Sequence, residues 1–124
     1  MPKKVLIVDD ENDARLLWSA VATDSGLEVV EATDGREALD ILRRDPAFDL
    51  VVLDVMMPFA DGYEVVKQMR EDAQLKTIPV IISTANRTTQ ELPTAALDGL
   101  TSYINKASGL ENMRRGIAQA LGMK

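Results

Sequence analysis

The feature that most constrains this 124-residue chain is an alternation repeated from end to end, in which short apolar runs are each followed by a stretch of helical periodicity. Val5-Leu6-Ile7-Val8 and Leu50-Val51-Val52-Leu53 offer no polar position to turn toward water, so each reads as a strand covered on both faces. Strands of that kind belong to parallel sheets, and parallel neighbours need long crossovers, which the helical stretches supply. The alternation therefore predicts five βα units in one α/β domain spanning residues 1–124, a length suited to a single core.

The predicted strands are 5–8, 27–32, 49–54, 78–83 and 101–105, the last less apolar and so placed at an edge. Pro79 falls near the start of its strand, where a missing donor is tolerated. A helix over 12–25 carries Ala14, Leu17, Trp18, Val21 and Ala22 on one stripe and stops at Gly26. Asp34 is positioned to cap a helix over 35–44, whose apolar face is Ala38, Leu39, Ile41 and Leu42. Further helices are predicted over 63–72, with Val65, Val66 and Met69 inward, over 88–97, which Pro93 interrupts, and over 109–121. The last presents Leu110, Met113, Ile117 and Leu121 on one face.

The composition narrows the chemistry. Cysteine and histidine are both absent, which removes thiolate metal sites, thiol nucleophiles, imidazole bases and any phosphohistidine carried by the chain itself. A formal charge of -6 argues against direct nucleic-acid binding, which needs a basic footprint, and favours a hard cation or a basic partner. No apolar run approaches the ~20 residues of a membrane span, and Met1-Pro2-Lys3-Lys4 leads directly into the first strand, so a cytoplasmic protein is expected.

Three carboxylates stand at the carboxyl ends of the first and third strands: Asp9, Asp10 and Asp54. Ligands of open parallel sheets bind at that edge, where the strand order reverses. An aspartate ending a strand often does no more than cap the next helix. Two acidic strand ends at the same edge are less easily explained that way. If the two strands are neighbours, the carboxylates converge and repel one another, and the arrangement asks for a cation. With oxygen donors alone, the expected ion is Mg²⁺ or Mn²⁺. The fourth strand ends in Ser83-Thr84 and the fifth leads into Asn105-Lys106. A hydroxyl and an ammonium beside a cation complete a site for a phosphoryl group, with Asp54 placed to attack phosphorus. Taken singly, Thr84 is a strand-end hydroxyl and Lys106 a surface lysine.

These residues resemble the receiver domain of response regulators, in the family's order and over nearly the whole chain. The matching segments are Val5-Leu6-Ile7-Val8-Asp9-Asp10-Glu11, Asp34-Gly35 with Ala38-Leu39, and the run from Asp49 through Asp54 to Met57-Pro58 with Asp61-Gly62. Ile78-Pro79-Val80-Ile81, Thr84-Ala85 and Tyr103-Ile104-Asn105-Lys106 complete the set. The resemblance implies a flavodoxin-like doubly wound sheet of order 2-1-3-4-5. It also implies that Asp54 is the phosphoacceptor and that Asp10, Asp54 and the backbone carbonyl of Met56 ligate the metal, with Asp9 acting through water. Lys106 is then the phosphate-binding lysine, Thr84 the switch hydroxyl and Tyr103 the aromatic that responds to it. The implied partners are a histidine kinase or a histidine phosphotransfer protein and a downstream protein target. The receiver would work as a stand-alone switch, monomeric or dimerising on phosphorylation.

Two departures bear on that reading. The family usually places proline after the lysine, often with a cis bond, and this chain has Ala107; a cis bond to a non-proline costs ~3–4 kcal/mol. Pro93 with Thr94, Ala95 and Ala96 points to a short or mobile fourth helix, so the family's usual output face is not carried over to this chain. The alternative is a pseudo-receiver that signals without phosphorylation, to which the intact Asp9, Asp10, Asp54, Thr84 and Lys106 run counter. An aspartyl-phosphate phosphatase of the haloacid dehalogenase type needs a second carboxylate two residues after its nucleophile. Met56 stands there, so turnover of external substrates is not expected. A flavodoxin-type flavin carrier fits less well, because the first strand leads into acids. Trp18, the single tryptophan, is a natural fluorescence reporter.

Overall fold

The computed structural model describes residues 3–54, 62–84, 101–105 and 109–122. Five strands, β1 (Lys4–Val8), β2 (Glu28–Ala32), β3 (Leu50–Asp54), β4 (Val80–Thr84) and β5 (Thr101–Asn105), form one parallel sheet of order β2-β1-β3-β4-β5. The helices are α1 (Asn12–Asp24), α2 (Gly35–Arg44), α3 (Gly62–Arg70) and α4 (Leu110–Ala120). The helix predicted over 88–97 lies outside the described residues. So do Met56, Lys106, the Lys106-Ala107 peptide and the side chains of Thr84 and Tyr103.

Side chains alternate across each strand, so the apolar runs feed two cores. Leu6, Val8, Val51, Leu53, Val80 and Ile82 face α2 and α3, where Ala38, Leu42, Val65, Val66 and Met69 meet them. Val5, Ile7, Leu50, Val52 and Ile81 face α1 and α4, under Trp18, Val21, Ala22, Met113 and Ile117. On this second side Gly116 lets α4 come close to β5, since a Cβ there would sit 2.6 Å from Ile104 Cδ1.

Local chemistry sets the element boundaries, and several differ from the sequence expectation. The second strand begins at Glu28 and not at Leu27, because the Leu27 N–H closes α1 by donating to the Ala22 carbonyl at 3.1 Å. Gly26, at φ 85°, donates to the Thr23 carbonyl at 3.0 Å, completing the pair of bonds that ends many helices. The fourth strand starts at Val80 instead of residue 78: Ile78 N–H turns back to the Leu75 carbonyl, and Pro79 has no N–H to give the ladder. Asp34 caps α2 as predicted, accepting from the Glu37 N–H at 2.8 Å, while Glu37 Oε1 takes the Thr33 N–H at 2.6 Å. The stripe on α1 is narrower than its sequence suggests. Trp18, Val21 and Ala22 are buried, but Leu17 is 42% exposed, and on α4 Leu110 is 50% exposed. Leu17 directly precedes Trp18 and falls on the flank of the buried stripe, about 100° around the helix from it, while Leu110 is the first residue of α4.

At the amino edge of the sheet, Lys4 gathers the chain. Its Nζ pairs with Asp45 and lies 4.5 Å from the centroid of the Phe48 ring, and its backbone N–H donates to Asp49 Oδ2 at 2.8 Å. The α2–β3 connection is thereby anchored at the end of the molecule opposite the acidic residues. Among the described residues, no helix is long and apolar enough to cross a membrane.

Candidate functional site

The strand order puts β1 beside β3, and the chain leaves β1 toward β2 on one side and later enters β3 on the other. That reversal opens a crevice at the carboxyl ends of these two strands. Asp9 follows β1 directly and Asp54 is the last residue of β3. Alternation places both on the α1/α4 side of the sheet, in the rows of Val5 and Ile7 and of Leu50 and Val52. Asp10 turns outward. Carboxylate oxygens of Asp9, Asp10 and Asp54 come within 4.8 Å of one another, the first and last buried and Asp10 exposed. The convergence expected from the sequence is therefore present.

The loop after β1 is held by its own polar groups. Asp9 N–H continues the ladder to the Ala32 carbonyl at 3.2 Å, and Asp9 Oδ1 accepts the Glu11 N–H at 2.9 Å, a short Asx turn that starts α1. Arg15 ties the same loop to the edge strand: Nη1 donates to the Asp9 carbonyl at 2.8 Å and Nε to Glu31 Oε1 at 2.9 Å. One oxygen of Asp9 is thus committed to backbone, which suits an outer position around an ion better than a direct one.

The donor set fits a hard divalent cation. Every candidate ligand is an oxygen, and the chain has neither His nor Cys to favour a softer metal. Direct Mg²⁺ ligands lie at about 2.1 Å and so no more than about 4.2 Å apart. The observed spacing admits one or two of the three carboxylates directly and the rest across water.

The other predicted residues are placed only in part. Thr84 and Asn105 end β4 and β5 opposite each other at the same edge, and Tyr103 is in register with Ile82. The sequence did not reveal the role of Ser83. This residue is wholly buried, lies in register with Asp54, and its Oγ accepts a 3.0 Å hydrogen bond from Trp18 Nε1. A buried tryptophan N–H needs an acceptor, which is a sequence signal for some partner, but nothing in the sequence says which.

Comparison with known proteins agrees with this geometry. The family model of the response regulator receiver domain matches residues 5–118. The response regulator MprA of Mycolicibacterium vanbaalenii is 37% identical over 113 residues, 91% of this chain and 48% of that protein. The polar-differentiation response regulator DivK of Brucella anthropi is 34% identical over 122 residues, 98% of each chain. This chain thus spans about half the length of several relatives it matches, MprA among them, and nearly all of DivK. The chemotaxis protein CheY4 of Vibrio cholerae superposes with a TM-score of 0.87 at 32% identity, covering 98% of this chain and 100% of that one. With the order β2-β1-β3-β4-β5 and an acidic crevice at its reversal point, the chain belongs to the response regulator receiver domain family.

Proposed function

We infer that this receiver accepts a phosphoryl group on Asp54 from a phosphohistidine of a partner kinase or phosphotransfer protein. Receiver domains are signalling modules of two-component systems, and phosphorylation and Mg²⁺ at an acidic pocket are typical of them. The observation that carries the reading for this chain is the approach of Asp9, Asp10 and Asp54 to within 4.8 Å of one another. In the transfer, an oxygen of Asp54 attacks phosphorus in line, the new O–P bond forms as the P–N bond to the partner imidazole breaks, and the imidazole nitrogen keeps the electron pair. Burial of Asp54 supports this role, because a carboxylate with little water around it has less solvation to shed before it attacks. Asp10, Asp54 and the Met56 carbonyl would hold Mg²⁺, or Mn²⁺, with Asp9 in the outer sphere. The ion's contribution is to offset the negative charge that the carboxylates and the phosphoryl oxygens bring together.

Lys106 and Thr84 complete the phosphoryl site in this reading, and Tyr103 follows Thr84 in the switch. The output is a population shift between two conformations read by a protein partner. Residues 1–124 act as one receiver unit, without turnover of external substrates and without direct contact to nucleic acid. Incubation with Mg²⁺ and a small acyl phosphate, followed by intact-mass measurement, is the test. The expected result is one phosphate per chain, absent from Asp54→Asn and absent when a chelator replaces Mg²⁺. Label retained in Asp54→Asn would place the acceptor elsewhere.

A further inference from the structure

Strand β4 is aliphatic over Val80, Ile81 and Ile82 and then, still at zero exposure, presents Ser83. A hydroxyl in that environment is costly unless it is hydrogen bonded, and the same holds for the indole N–H of Trp18, which is 1% exposed. The two satisfy each other at 3.0 Å across 65 positions of sequence. Their bond joins the middle of α1 to the carboxyl end of β4. It does so beside the phosphoacceptor, since Ser83 is the register partner of Asp54 and immediately precedes Thr84.

Helix α1 is fastened to the site a second time. It begins three residues beyond Asp9, whose carboxylate receives the Glu11 N–H and whose carbonyl receives Arg15 Nη1. Trp18 lies six residues into the helix from Asn12, about 9 Å along its axis. One end of α1 therefore follows the β1 loop, and the turn carrying Trp18 follows β4. A change that moves the end of β4 relative to β1 strains this two-point attachment, and relief comes from displacement of α1 or of the indole.

We propose that Trp18 and Ser83 are positioning residues that hold the end of β4 against α1 and transmit the state of Asp54 to that helix. The proposal rests on the reading of Asp54 as phosphoacceptor. It adds α1 to the elements that respond, through a hydrogen bond contributed by this chain's own tryptophan and serine. Ser83 faces α1 and acts on the end of β4 through the backbone it shares with Thr84.

The test uses the whole chain, with Trp18 as the single fluorophore. Emission is recorded before and after Mg²⁺ plus beryllofluoride, and phosphate incorporation from an acyl phosphate is measured by mass in parallel. The wild type is expected to change emission on loading. Ser83→Ala is expected to lose most of that change and to incorporate phosphate about fivefold more slowly, the factor an ordinary hydrogen bond is worth. Ser83→Thr, which keeps the hydroxyl, should restore both. Trp18→Phe should match Ser83→Ala in rate, and the double variant should be no slower than either single variant, as expected of one shared interaction. Normal phosphate incorporation with no emission change in the wild type overturns the proposal and leaves the phosphoacceptor assignment standing. Additive rate losses in the double variant overturn it as well. Failure of the wild type to take up phosphate defeats the assignment of Asp54, and this proposal with it.

Discussion

Replacing Asp54 with Asn should stabilise the protein when no divalent ion is present. Asp9 and Asp54 are 1% and 5% exposed, and their carboxylate oxygens lie within 4.8 Å of each other. Two like charges at that separation repel by about 3.5 kcal/mol at an effective dielectric constant of about 20. Asp10 adds a smaller amount, because it is exposed and solvent screens it. Asn keeps the shape of the side chain but gives up charge-assisted hydrogen bonds, each worth about 1.5–3 kcal/mol, so the net gain is smaller, about 1–2 kcal/mol. For a domain of this size that corresponds to a rise of roughly 3–8 °C in Tm. Urea and thermal denaturation followed by circular dichroism, in a chelating buffer, measure it directly. Added Mg²⁺ should reverse the ranking. The wild type gains about 2.7 kcal/mol at a hundredfold excess of ion over Kd, while the variant, with a ligand removed, gains much less. An Asp54→Asn midpoint at or below the wild type in chelator, or equal Mg²⁺ gains in the two proteins, would refute the account of the site as a crowded acidic crevice awaiting a cation.

Three further outcomes follow from the packing and the ion pairs. Leu42 is fully buried between α2 and the sheet, and Leu42→Ala should lose about 2–5 kcal/mol in urea unfolding; a loss below that range would mean the site collapses around the smaller side chain. Asp34→Ala removes the acceptor of the Glu37 N–H and should cost about 1 kcal/mol, with Glu37→Ala less than additive because the two residues cap the same turn. The hydrogen bond from Lys4 and, next, the Ala47 N–H hold the Asp45 carboxyl below its ordinary value of 3.8. Its folded-state pKa is thus lower than its unfolded one. The stabilisation is present above that ordinary value and is lost as pH falls through it toward the depressed folded value. Lys4→Met should flatten this part of the acid-unfolding curve, and an unchanged slope would remove the Lys4 pair as its cause.

The elements of this protein were legible in the sequence because each carries a local physical signature. Val5–Val8 and Leu50–Leu53 can be satisfied only by cover on both faces, which dictates a parallel sheet with helices on each side. Asp34 and Gly26 announce helix ends through bonds made within a few residues, although the Leu27 bond that closes α1 is not legible in the sequence, whose pattern assigns Leu27 to the strand. The carboxylates of the site were legible as strand-end residues, and the family resemblance supplied their roles. Errors arose where burial depends on what lies alongside. Leu17 and Leu110 satisfy the helical stripe, yet they are 42% and 50% exposed, because Leu17 lies on the flank of the stripe that Trp18 and Val21 bury and Leu110 opens α4.

The tertiary structure alone decided which distant groups meet. That Asp9 and Asp54 share a crevice follows from β1 and β3 being neighbours, a consequence of chain reversal that no local signal encodes. That Trp18 finds Ser83 follows from α1 covering the same side of the sheet as the odd-numbered residues of β4. Periodicity fixes which face of an element is apolar, because burial acts on each residue where it stands. It leaves the partner of a polar group open, because a hydrogen bond across 65 positions exists only once the sheet has brought its strands into order.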